Sequence, residues 1–253
     1  MSLTLQNISI AYGSKKILSD ITLDAIKPGT LVALLGKNGA GKSTLIKGLA
    51  GLKSYQGEAS LDGVELANMT QHQRLKSIGY VPQTLPQGSS LLAYEVVKSV
   101  VTLQGESTFK EQTIEDVFER LKISHLALWP MHKLSGGQRQ MISLAQAIVR
   151  KPKLYLLDEP TSALDLNWQM QVLKAIREEV SSQNAIAILI SHDINLALRY
   201  SDQVVLLNQG QILAEGPPKE SLTVDHLAQA YNVNARIESC SKGHPIILID
   251  NAL

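Results

Sequence analysis

The stretch TLVALLGKNGAGKST, Thr30 to Thr44, runs from five consecutive apolar residues into a glycine-rich loop that closes on Lys42 and Ser43. The apolar run has the length of a buried strand, and GKNGAGKS fits the pattern G-x-x-x-x-G-K-[ST]. Chemistry dictates that spacing. Gly36, Gly39 and Gly41 let backbone N–H groups turn inward around phosphates, Lys42 reaches the terminal phosphates, and the Ser43 hydroxyl is placed for Mg²⁺. With Asn38, Ala40 and Thr44 these residues make one phosphate cradle. Leu45, Ile46, Leu49 and Leu52 then mark a helix, so strand, loop and helix follow in the order the motif requires.

Towards the N-terminus, Leu3 and Leu5, Ile8 and Ile10, then Ile21 and Leu23 alternate with polar residues up to KPGT, a strand-and-turn pattern. Towards the C-terminus, IGYVPQ, LYLLDEP and AIAILISHD read as buried strands, and DQVVLLNQGQILAEG as a late hairpin. Their alternation with helical patterns predicts an α/β fold with a mainly parallel sheet. From Gln83 to about Arg150 only helical patterns recur. Ile114, Val117, Phe118 and Leu121 form one apolar stripe, and Met141, Leu144, Ala145 and Ile148 another. We expect a single domain: 1–82 and 151–220 as core with an antiparallel β part, 83–150 as a helical insert, and 221–253 as a tail.

The 253 residues carry 24 Lys and Arg against 23 Asp and Glu, so no global basic field draws the chain to nucleic acid. The single cysteine, Cys240, excludes an intramolecular disulfide and suits a reducing compartment. The longest apolar runs fall far short of the roughly 18–20 residues that cross a bilayer. MSLTLQNISI lacks a basic segment followed by an apolar one, so no signal peptide is expected.

Two further segments carry chemistry. LYLLDEP brings Asp158 and Glu159 to the end of a buried strand, where two carboxylates are costly unless a cation compensates them. Asp158 is assigned to Mg²⁺ and Glu159 to polarising the attacking water. LSGGQRQ, Leu134 to Gln140, opens a helix with Ser135 as N-cap and with Gly136 and Gly137 leaving its backbone open to an anion. A second anion site beside a complete phosphate loop calls for an explanation.

With GKNGAGKST, LSGGQ and LLDEP in that order, the chain resembles the ATP-binding subunits of ABC transporters over nearly its whole length. The resemblance implies a P-loop NTPase core with an N-terminal antiparallel β subdomain and an inserted α-helical subdomain. It also implies ATP with Mg²⁺ and a head-to-tail homodimer. Tyr12 matches the aromatic that stacks on adenine. Gln83 matches the glutamine that senses Mg²⁺ and the attacking water, Asp165 in SALD the loop that crosses the dimer, and His192 in ISHD the γ-phosphate contact. Ser135, Gly136, Gly137 and Gln138 would then cover the γ-phosphate of the partner's ATP, which explains the second anion site. By the same resemblance the chain works at the cytoplasmic face of a membrane, docked to permease subunits and served by a substrate-binding protein.

LDLNWQMQVL, the segment from SHDINLALRY to KESLT, and GHPIILID resemble the subgroup that drives uptake of metal chelates: iron–siderophore, haem or cobalamin. VVKSVVTLQG stands where that subgroup has a GR-x-P-like segment, and Gln146 where arginine is common. Another cargo, export, or a soluble non-transport ABC ATPase stay open as alternatives. The heptad arms of chromosome and repair members, a second cassette, and an N-K-x-D guanine reader are all missing from the sequence. Thr84 to Tyr94, which follows Gln83, is expected to face the permease.

Overall fold

The computed structural model describes residues 2–83, 89–102, 111–162 and 164–253. The chain begins with strands β1 (Leu3–Tyr12), β2 (Lys15–Ile26) and β3 (Leu31–Leu35), then helix α1 (Lys42–Leu49), β4 (Gln56–Leu61) and β5 (Val64–Glu65). Helix α2 (Gln71–Ser77) leads into β6 (Ile78–Val81), followed by α3 (Ala93–Thr102), α4 (Glu111–Arg120) and α5 (Gly136–Ile148). The core resumes with β7 (Leu154–Asp158), α6 (Leu166–Ser182), β8 (Ile186–Ile190), α7 (Ile194–Tyr200), β9 (Gln203–Asn208) and β10 (Gln211–Gly216). Helices α8 (Pro218–Ser221) and α9 (Val224–Tyr231) and strands β11 (Val233–Ser239) and β12 (Pro245–Ala252) complete it.

The six-stranded sheet has the order β10-β9-β3-β8-β7-β6, with β9, β3, β8, β7 and β6 parallel and β10 antiparallel at one edge. Every residue of β3, β7 and β8 is buried, as continuous apolar runs require when both faces of a parallel sheet are covered. The expected late hairpin is present, and its first strand is also a full member of this sheet beside β3. A separate antiparallel sheet of order β2-β1-β4-β5 packs over α1 through Leu5, Ile8, Ile10 and Ile21. These strands are the alternating apolar pairs of the N-terminus.

Helix α1 is shorter than its apolar spacing predicts. It ends at Leu49, the chain turns through Gly51 at φ 76°, and Leu52 is exposed rather than on the buried stripe. A left-handed glycine just past the last turn is a common helix stop, and it outweighs one leucine in register.

Among the described residues between β6 and β7, the regular elements are helices, with one isolated bridge, Leu92 with Pro130. Helices α3, α4 and α5 share a buried cluster that includes Val97, Ile114, Phe118, Met141 and Leu144 and continues into α6. An ion pair fastens this insert to the core. Arg120, at the end of α4, donates to Glu179 on α6, whose side chain is almost fully buried, and the Tyr155 hydroxyl of β7 donates to the other Glu179 oxygen at 3.3 Å. Burial, and then the neighbouring Glu179 charge, push the Tyr155 phenol upward, which keeps it a donor. Removing one partner of a buried pair typically costs about 3–5 kcal/mol; Arg120 is partly exposed and Tyr155 stays in place, so Arg120→Ala should cost about 2–3 kcal/mol. Urea unfolding measures it, and a change below about 0.5 kcal/mol would show that the pair does not hold the insert.

Beyond β10, the last segment is packed rather than trailing. Leu222, Leu227, Ala230, Ala235 and Ile247 bury against Ala33 and Leu35 of β3 and Leu206 of β9. Asn195 of α7 bonds the backbone of Ile247 twice, at 2.7 and 3.1 Å, and ties the β11–β12 hairpin down.

Candidate active site

Parallel strands end on the same side of their sheet, and ligands bind there. The P-loop follows β3, His192 follows β8, Asp158 ends β7 with Glu159 next, and Gln83 follows β6. Since β3, β8, β7 and β6 are neighbours in that order, four segments spread over more than 150 residues meet along one edge. They line a cleft of about 460 Å³ with Tyr12, Lys15, Ile17, Asn38, Gly39, Gly41, Lys42, Ser43, Thr44, Gln83, Glu159 and His192 on its walls.

Gly36 and Ala40 shape the loop from behind. A Cβ on Gly36, at φ 139°, would stand 2.3 Å from the Leu207 carbonyl oxygen, so no side chain fits. Ala40 is buried in the cluster beneath the antiparallel sheet. Lys42 Nζ donates to the carbonyls of Gly36 at 2.6 Å and Lys37 at 3.1 Å. Burial lowers the Lys42 pKa, while Glu159 and Asp158 pull it back up. Its charge is held close to where phosphate oxygens would bind.

The carboxylates are set apart by their partners. Asp158 accepts from the Ser43 hydroxyl at 2.9 Å, and burial raises its pKa against the lowering effect of that bond. Glu159 takes a left-handed backbone, φ 54°, unusual for a residue with a side chain. This turns its carboxylate into the cleft, where one oxygen, Oε2, accepts Gln83 Nε2 at 2.6 Å and lies 2.7 Å from His192 Nε2. Gln83, Glu159 and His192 thus converge on one atom.

A hydroxyl, one carboxylate and an amide oxygen form a hard-oxygen set of the kind Mg²⁺ takes when substrate phosphates and water supply the remaining ligands. Among the described residues no cluster of three or more His, Cys, Asp or Glu could hold a metal ion. Ser43, Asp158 and Gln83 therefore fit a metal shared with phosphate oxygens, and not a cage built by the protein alone.

Five predicted residues stand elsewhere. Ser135, Gly136, Gly137, Gln138 and Asp165 do not line the cleft. Ser135 Oγ accepts from the Gln138 N–H at 3.2 Å and Gln138 Oε1 accepts from the Ser135 N–H at 2.9 Å, a complete capping box on α5. A Cβ on Gly136 would meet nothing within 4 Å, so the helix N-terminus faces open space. Asp165 caps α6 by accepting the Trp168 N–H at 3.0 Å.

Several contributors escaped the sequence. Lys53 Nζ lies 4.4 Å from the centre of the half-exposed Tyr12 ring, a cation–π contact from the loop after α1. Lys15 and Ile17 alternate along β2 into the cleft, a strand pattern that marks one face without saying what the face meets. The Tyr231 hydroxyl accepts the Gly36 N–H at 2.8 Å from 195 residues away, and nothing local signals it.

A family model described as ABC transporter matches residues 18–162. An uncharacterized ABC transporter ATP-binding protein of Methanocaldococcus jannaschii is 36% identical over 98% of both chains. The hemin import ATP-binding protein HmuV of Shewanella denitrificans is 37% identical over 97% of this chain and 100% of its own. Among solved structures, a chain from a transporter described as of the metal-chelate type, in an inward-facing conformation, superposes with a TM-score of 0.80 at 28% identity, covering 98% of this chain and 97% of that one. From the phosphate loop to these matches, the chain belongs to the ABC transporter family, as an ATP-binding subunit that hydrolyses ATP.

Proposed function

We propose that two copies of this chain bind ATP between them and drive import of a metal chelate, with haem the first candidate, through separate membrane permease subunits. One observation carries the cargo class. The metal-chelate-type chain is matched over 98% of this protein, against 85–87% for other cassettes, so the likeness extends past the common ATPase core.

In this reading the loop amides from Asn38 to Thr44 and Lys42 hold the β and γ phosphates, and Tyr12 stacks on the base. Mg²⁺, bound with Ser43, Gln83 and Asp158, supplies neutralisation of phosphate charge. Glu159 polarises the attacking water, Gln83 and His192 orient its carboxylate, and His192 can follow the γ-phosphate from the same position. The signature residues, turned away from their own cleft, cover the γ-phosphate of the second copy.

Permease contact is assigned to the expected docking stretch and the strip beside it. Residues 84–88 of that stretch lie outside the described residues. Its remainder runs against 127–132: the Ala93 N–H donates to the Trp129 carbonyl and the Met131 N–H to the Leu91 carbonyl, both at 2.9 Å. Leu128 is 78% exposed and Trp129 51%, with Leu91 exposed beside them. Large exposed apolar side chains grouped in one strip mark an interaction site. Among the described residues no helix is long and apolar enough to cross a membrane, so this strip is what a peripheral subunit would offer to an integral one.

A cysteine at Leu91 in a Cys240→Ser background should crosslink to a membrane subunit, and crosslinks confined to a second copy of the ATPase would move the docking face elsewhere. Cells lacking the chain should lose uptake of labelled haem. Full haem uptake alongside lost cobalamin or ferric-siderophore uptake would transfer the cargo assignment; no change in any would remove it.

A further inference from the structure

The Gly36 N–H stands one residue beyond the last register pair between β3 and β9, Leu35 with Leu206, so the sheet ladder no longer serves it. An amide buried at that point needs another acceptor. Tyr231, the last residue of α9, provides it at 2.8 Å. The hydroxyl is rigidly placed. Leu227 and Ala230 of α9 pack in one cluster with Ala33 and Leu35 of β3, and Asn232 closes the helix in a left-handed turn. Asn232 is itself tied to the end of the chain, its Nδ2 donating to the Leu253 carbonyl at 2.7 Å and its carbonyl accepting the Leu253 N–H at 2.9 Å.

The other end of the same glycine matters equally. Its carbonyl accepts Lys42 Nζ at 2.6 Å. One residue therefore joins the C-terminal unit, through its N–H, to the phosphate-binding lysine, through its C=O. No side chain can replace this backbone link, because a Cβ on Gly36 would collide with the Leu207 carbonyl. Burial pushes the Tyr231 phenol up to about 12, so the group stays a neutral hydroxyl under ordinary conditions.

We propose that Tyr231 is a positioning residue for nucleotide binding: by accepting the Gly36 N–H it orients the peptide that holds Lys42, and so makes the C-terminal unit part of the nucleotide site. The proposal rests on reading Gly36 to Thr44 as the nucleotide cradle. Tyr231 is not among the residues that line the cleft, so it acts through Gly36 and Lys42 and not on the nucleotide directly.

Tyr231→Phe removes one oxygen and keeps the ring in its packing. We expect ATP Kd to weaken about tenfold, the scale of one weakened charge-assisted hydrogen bond from Lys42, and KM to rise with it. Tyr200→Phe makes the same chemical change at a hydroxyl that, among the described residues, bonds Met170 Sδ at 3.7 Å, and should leave Kd unchanged. Direct equilibrium binding of ATP reads the effect even where turnover is low. A Tyr231→Phe protein with the original Kd and KM, whatever its kcat or Tm, overturns the proposal, as does an equal Kd shift in Tyr200→Phe. Failure of the original protein to bind ATP, or unchanged binding in Lys42→Ala, would instead refute the cradle reading.

Discussion

Glu159→Gln protein should bind ATP as the original does and hydrolyse it about 10²-fold more slowly or worse, the scale of a lost general base. The substitution is nearly isosteric and removes the charge alone. The amide oxygen of a glutamine can still accept from Gln83 Nε2, so the bond that orients the side chain, 2.6 Å in the original, has a replacement. The left-handed backbone at position 159 is no harder for Gln than for Glu. What disappears is an oxygen basic enough to draw a proton from water. With ATP bound and turnover blocked, the variant should accumulate as an ATP-bound dimer, seen by size-exclusion chromatography with ATP and absent with ADP. Near-original turnover by Glu159→Gln would refute the base assignment and leave the Gln83–Glu159–His192 cluster with a structural role.

Two inactive variants should recover activity when mixed. Lys42→Ala alone should nearly abolish hydrolysis, because the lysine offsets charge on the β and γ phosphates during transfer. Ser135→Arg places a bulky cation at the N-terminus of α5 and breaks the capping box, which removes the acceptor of the Gln138 N–H. In a single chain, Ser135 to Gln138 are absent from the cleft wall, and the face above Gly136 is open. If those residues act across a dimer, one site of the mixed dimer carries both lesions and the other carries none. The intact site should restore a measurable fraction of ATP turnover, and a mixture of original and double-mutant protein checks that one site can fire alone. Activity in that control with none in the mixture would mean that the signature serves its own chain's nucleotide.

The contrast between the P-loop and its supports explains what could be read in advance. Gly36 to Ser43 are contiguous, and their function depends on backbone amides, a lysine and a hydroxyl at set spacings, so the chemistry is written in local order. Buried parallel strands are equally plain, because covering both faces turns Leu31–Leu35, Leu154–Asp158 and Ile186–Ile190 into apolar runs. Leu52 shows the limit of periodicity. It kept the helical spacing, yet a left-handed Gly51 stopped the helix first.

The sequence by itself determined the α/β fold, the phosphate loop and the order of the motifs, since each rests on neighbouring residues or on patterns of period two and 3.6, and the ordered motifs carried the resemblance to the family. Only the tertiary structure decided which distant groups share an atom. Glu159 Oε2 meets Gln83 and His192 because β6, β7 and β8 are adjacent parallel strands. Arg120 finds Glu179 because the insert folds back on α6, and Tyr231 reaches Gly36 because α9 packs beneath β3. Such contacts are set by how sheets and helices stack, and a hydroxyl 195 residues from its partner leaves no trace in the local pattern that a one-dimensional reading can use.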